Sequence, residues 1–136
     1  MIKLLSVPHT GTRFTSDALE AAGLVRVRSV EKRGDFVQVH FDGTRNHPMI
    51  YDMPGPVIVS LRDRDEVIAS WKRRGKDLRE FERMWSEMLD FMETADDVHT
   101  LHVDNPDIRD KELAMIGQRF GIPLAADFSV KVGEGR

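Results

Sequence analysis

The chain of 136 residues contains no cysteine. That excludes disulfide cross-links, a thiolate zinc site and a cysteine nucleophile. It also fits a reducing compartment, so a cytoplasmic location is the expectation. No apolar run approaches the ~18 residues of a membrane span. The opening "MIKLLSVPHTG" lacks the length and the small-residue cleavage site of a secretory leader, and it reads as a buried first strand. An excess of basic charge is missing too. The net charge is −3, whereas a protein that coats nucleic acid is normally strongly basic. Neither a membrane nor nucleic acid is therefore expected as a partner, although a local anion site stays open. Repeats, low-complexity tracts and linkers are absent. The length then predicts one domain over residues 1–136, with 129–136 read as a polar, flexible tail.

The residues that are there suit a soluble core: 40% are hydrophobic and 32% charged. Ile2 to Val7 is apolar but for Lys3 and Ser6, a pattern of a strand covered on both faces. Phe14, Ala18, Leu19 and Ala22 follow at helical spacing, and Gly23 ends that helix. "LVRVRSVEKRGDFVQVHFDG" alternates on both sides of Gly34, which predicts two strands arranged as a hairpin. "TRNHPMIYDMPGP" reads as mostly loop. Val57 to Leu61 is a second buried-strand pattern. The helix after it has Asp63 or Asp65 as cap, Val67, Ile68 and Trp71 facing inward, and Gly75 as breaker. "DLREFERMWSEMLDFMETAD" is the clearest helix, with an apolar stripe of Leu78, Phe81, Trp85, Met88, Leu89 and Met92. "VHTLHVD" alternates as a strand. A last helix carries Leu113, Ile116 and Phe120 inward and stops at Gly121. Strands alternating with helices predict an α/β fold. It would be a single P-loop-like domain of three layers, with a mainly parallel central sheet flanked by helices. Ligands in such folds sit beyond the C-terminal strand ends, which singles out two strand-to-helix junctions, "VPHTGTRF" and "SLRDRDEV".

At the first junction, Gly11 lets backbone amides close around an anion at a helix start. Thr10 and Thr12 add hydroxyls, and Arg13 adds a guanidinium that can grip oxygens in two places. A plain turn with a threonine cap and an exposed arginine is the other reading. The Gly-Lys-Ser/Thr ending that holds a magnesium-bound triphosphate is missing. At the second junction, Arg62 ends the strand and Ser70 follows eight positions later in the helix. A surface salt bridge from Arg62 to Asp63 or Asp65 is the alternative there.

Taken together, these motifs resemble the sulfotransferases that use 3′-phosphoadenosine 5′-phosphosulfate (PAPS). Pro8-His9-Thr10-Gly11-Thr12-Arg13 is similar to the family's 5′-phosphosulfate loop, P-[KR]-[SG]-G-T-[TR]. Arg62 and Ser70 in "VIVSLRDRDEVIASW" match the pair that holds the 3′-phosphate. "VHTLHVDNPDIRDKELAMIGQRFGIPL" resembles the closing strand and helix. The similarity runs over most of the chain in the right order. It implies PAPS as sulfuryl donor, no metal, and an acceptor hydroxyl on a small molecule, a carbohydrate or a peptide tyrosine. It also implies cofactor-binding roles for His9, Thr10, Gly11, Thr12, Arg13, Arg62 and Ser70. His40 fits the family's base, 22 positions before Arg62, because a neutral imidazole with a pKa of about 6.5 can take up a proton at neutral pH. An alternating strand residue is its plainer reading, and Asp42 and His47 are rivals. His40, Asp42 and His47 are too sparse for a metal site. His9 replaces the family's loop lysine and becomes a second catalytic candidate as a donor to the bridging oxygen. The usual proline after the 3′-phosphate arginine is Asp63 here, and Lys131 and Arg136 stand where the family closes over its nucleotide. Two alternatives remain open: a non-catalytic nucleotide-binding module of the same fold, and a small nucleotide or metabolite kinase. The kinase would need the Walker lysine that the sequence does not offer.

Overall fold

Strand β1 (Ile2–Ser6) is buried along its whole length, as its apolar run requires. The structure, a computed structural model, describes residues 1–28 and 33–124. Four further strands lie beside β1: β2 (Arg26–Val27), β3 (Phe36–His40), β4 (Val57–Leu61) and β5 (Val98–His102). All pair in parallel, in the order β2-β3-β1-β4-β5. The helices are α1 (Thr12–Ala21), α2 (Pro48–Tyr51), α3 (Arg64–Arg73), α4 (Leu78–Thr94) and α5 (Pro106–Phe120).

Side chains alternate across a strand, so the central strands feed two cores. Leu5, Val39, Val59 and Leu61 pack on one face with Trp71, Phe81, Met88 and Phe91 from α3 and α4. Leu4, Phe36 and Ile58 pack on the other with Phe14 and Leu19 of α1 and Leu113 and Ile116 of α5. The result is a three-layer α/β fold around one all-parallel sheet. No helix among the described residues is long and apolar enough to cross a membrane. The tail from 129 to 136, with Lys131 and Arg136, lies outside the described residues.

Two expectations are corrected. The strands either side of Gly34 are not a hairpin: Arg26 pairs with Phe36 and Val27 with Val37 in parallel. The amides of Asp35 and Phe36 both donate to the carbonyl of Val25, and the Asp35 carboxylate takes the Val25 amide. The chain thus returns to the start of β2 before β3 begins. Alternation reports burial but not strand direction. Within the mostly loop stretch 44–56, residues 48–51 form a single helical turn. His47 caps it by accepting from the Met49 amide, and Pro48 sits in the first turn, where its missing N–H costs nothing. Leu89 is 48% exposed. It lies about 100° round the helix from Met88, and Phe91 and the wholly buried Glu87 take the inward positions instead.

Candidate functional site

The strand order reverses around β1: the chain leaves it toward β2 and β3 on one side and reaches β4 and β5 on the other. The crevice beyond its C-terminal end is where doubly wound sheets bind ligands. The loop Val7–Gly11 occupies that crevice. Two hydroxyl pairs fix the helix that follows: Ser6 with Thr12, and Ser60 of β4 with Thr15. All four side chains are buried, so these bonds satisfy groups that water cannot reach. Thr10 is buried too, and its hydroxyl donates to the Val7 carbonyl at 2.7 Å, within the loop. Gly11 caps α1 at φ 76°, a left-handed conformation that suits glycine, and provides no side-chain hydrogen bond. The other four helices each have a side-chain cap, from His47, Asp63, Asp77 and Asn105. Among the described residues, the amides of Thr12 and Arg13 in the first turn of α1 have no acceptor, and they lie at the positive end of the helix dipole.

Arg62 leaves the end of β4 and turns toward this loop. Its Nη1 donates to the His9 carbonyl at 3.4 Å, and its Nη2 lies 3.6 Å from Glu66. The side chain is only 13% exposed, and its Nε is buried without a partner among the described residues. A guanidinium carries five N–H donors, and among the described residues a single long hydrogen bond takes up one of them. Asp63 does not pair with it. Its carboxylate caps α3 by accepting from the Glu66 amide, and its own amide donates to Asp104. Ser70 is buried on α3, and its hydroxyl accepts from Arg74 Nη1 at 2.6 Å.

His9 stands at φ 71°, in the left-handed region that a side chain adopts only at a cost of about 1–3 kcal/mol. Its Nε2 is a second buried atom without a partner among the described residues. Burial, then the charges of Arg74, Lys76, His40 and Arg62, push its pKa down to about 4. His9 is therefore a neutral imidazole at physiological pH, ringed by cations. A cavity of about 350 Å³ opens beside it, lined by Gly11, Thr12, Arg13, Gln38, His40 and Lys76. His40 sits at the exposed end of β3. Loss of water around its ring lowers its pKa, and Lys76 lowers it further, so it too is neutral. Arg13 is 64% exposed and pairs loosely with Asp17 at 3.9 Å.

The structure thus brings His9, Gly11, Thr12, Arg13 and His40 to one cavity and turns Arg62 onto the loop behind it. Thr10 serves the loop internally, and Ser70 is engaged by Arg74. Neither Asp42 nor His47 lines the cavity. Asp42 is bonded to Thr44, and His47 is a helix cap. Two cations were not legible as site residues. Arg74 and Lys76 lie past the end of α3, and Gly75 at φ 65° turns the chain back between them. The glycine was a visible breaker, but nothing in the sequence said which way the turn would face.

Comparisons with family models, with curated proteins and with solved structures gave no match to the chain. The class is set by the fold itself, an α/β protein with an all-parallel sheet and a cation-lined crevice at its switch point.

Proposed function

We propose that the protein binds PAPS and transfers its sulfuryl group to an acceptor hydroxyl. The observation that carries this reading is the reach of Arg62 from the end of β4 to the loop after β1, with a buried donor to spare. It supports two anion grips on one sheet edge: the Thr12 and Arg13 amides at the start of α1, and the Arg62 guanidinium at the end of β4. A nucleotide with phosphate at both 5′ and 3′ positions suits that pair, and charge-assisted bonds from arginine are the strong ones.

In this reading, Arg62, with Ser70 and Arg74, holds the 3′-phosphate. The amides of Thr12 and Arg13 hold the 5′-phosphosulfate. His40 takes the proton of the acceptor hydroxyl as its oxygen bonds to sulfur, and the bond from sulfur to the phosphate oxygen breaks. The electron pair leaves with adenosine 3′,5′-bisphosphate. Neutral His40 is competent as a base without prior deprotonation. A cytoplasmic place of action belongs to the same reading.

A second reading, a nucleotide-binding module without turnover, is favoured by one observation. His9 is neutral, so its place in the loop supplies no charge to the leaving oxygen. Thermal shifts test what both readings share. Adenosine 3′,5′-bisphosphate should stabilise the protein more than ADP does, increasingly with concentration, and Arg62→Ala should abolish the effect. A preference for ATP with magnesium would sink both and point to the kinase. Transfer of labelled sulfate to hydroxyl acceptors, lost in His40→Ala, separates enzyme from module.

A further inference from the structure

Four positive groups surround the crevice, and they are not equivalent. Arg62 lies against the back of the loop, on the His9 carbonyl. Arg74 is tied to the Ser70 hydroxyl and carbonyl. Arg13 is largely in solvent and leans on Asp17. Lys76 lines the cavity together with Gly11 and Thr12, and it belongs to the turn after α3 rather than to the loop after β1. Its place there is built. Gly75 in a left-handed conformation ends α3, and the Lys76 amide donates to the Trp71 carbonyl at 3.1 Å. The ammonium then rests over the Trp71 ring, 5.4 Å from its centroid. The edge of the same indole meets His9, and its N–H holds the Pro8 carbonyl. One buried tryptophan therefore fixes both the loop and the lysine that faces it.

We propose that Lys76 grips the terminal sulfonate of the donor, opposite the amides of α1, and supplies the positive charge at the transferring group. The inference rests on the donor reading above and adds a residue to it. A tetrahedral oxyanion at the α1 terminus has oxygens left over that point into the cavity. The two imidazoles there are neutral and Arg13 is largely in solvent against Asp17, so Lys76, held on Trp71, is the cation placed to meet them. An ammonium has three rotatable donors and suits such a group without a fixed fork geometry.

Two measurements on the full chain test it, with wild type and Lys76→Met compared. The first needs no ligand. The ring resonances of His9 and His40 are titrated by NMR. The groups that face His9 are Arg62 from β4, Arg74 and Lys76 after α3, and His40 from β3. Removing the Lys76 charge should raise both titration midpoints, and unmoved midpoints would overturn the placement. The second is calorimetric titration with PAPS and with adenosine 3′,5′-bisphosphate, which lacks the sulfonate. Lys76→Met should bind PAPS about tenfold more weakly, as loss of a charge-assisted bond implies, and the bisphosphate within about twofold of wild type. Equal affinity of both proteins for PAPS would refute the role of Lys76 while leaving the donor reading intact. Failure of wild type to bind either nucleotide would remove the donor reading, and this inference with it.

Discussion

The indole N–H of Trp71 donates to the carbonyl of Pro8 at 3.0 Å, so a ring buried under α3 carries the loop after β1. That one bond links the inner core to the candidate site. Trp71→Phe keeps an aromatic side chain against Phe81 but leaves the Pro8 carbonyl unpaired and a small void. The expected loss is about 2 kcal/mol of stability. Urea denaturation followed by circular dichroism measures it. Hydrogen exchange in residues 8–12 should accelerate beyond what the global loss explains. Unchanged exchange there would mean that the loop is held by other contacts.

Acid should loosen the protein through His9. Its folded pKa is about 4, against about 6.5 in an unfolded chain. Between those values the unfolded chain binds more protons than the folded one, so stability rises with pH across that window. It is lost as pH falls from 6.5 toward 4. His40, also lowered, adds a slope of the same sign. His9→Gln should flatten the pH dependence of the denaturation midpoint between pH 4 and 6.5 without removing it. An anion in the cavity favours imidazolium, so nucleotide binding should raise the His9 midpoint and tighten as pH falls. A midpoint that stays fixed on binding would place the ligand elsewhere.

Glu87 is the least accessible charged side chain of α4, and it organises the loop after His40. One of its oxygens accepts the Gly43 amide at 2.9 Å, and the other accepts the Arg45 amide and the Tyr51 hydroxyl, both at 2.7 Å. Burial and this bond to Glu87 hold the Tyr51 phenol protonated well above its usual range. Glu87→Ala strands three donors at once and should cost on the order of 3 kcal/mol. Tyr51→Phe removes one donor and should cost about 1 kcal/mol. In the double mutant the two losses should fall short of their sum, because they share a partner. Strict additivity in a denaturant titration would mean that the Tyr51 bond contributes nothing.

Glu87 also marks the limit of what the sequence discloses. The pattern read the layers correctly, because burial on both faces makes β4 a continuous apolar run and burial on one face imposes a period of 3.6 on α4. The two junctions were legible because a turn glycine before a helix and an arginine after an apolar strand are local signals. Asp63 was legible as a cap for the same reason. Relations between distant segments left no local trace. Glu87 sits among the polar residues of α4 and reaches a loop more than forty positions away. Lys76 reads as one more charge in a basic stretch until the turn at Gly75 aims it at the loop. The parallel pairing of β2 with β3 was hidden because strand direction is set by the path between them.

Gly117 tests whether packing or propensity governs the end of α5. Alanine in a helix interior is favoured over glycine by about 1 kcal/mol. Here a Cβ would lie 2.8 Å from the Ile122 carbonyl oxygen and 3.6 Å from the Leu124 side chain. The returning segment cannot easily withdraw, since the Ile122 amide donates to the Gly117 carbonyl at 3.0 Å. Overpacking of this kind costs about 1–3 kcal/mol, so the steric term should win and Gly117→Ala should be destabilising. Gly121→Ala is the control. A Cβ there meets nothing, and the cost is the left-handed backbone alone, about 1–2 kcal/mol. The two effects differ in where they appear. Gly117→Ala should shift the amide resonances of residues 122–124 as the return is pushed outward, whereas Gly121→Ala should perturb the helix end itself. A net gain in stability for Gly117→Ala would show that the return yields freely and contributes little to holding α5 on the sheet.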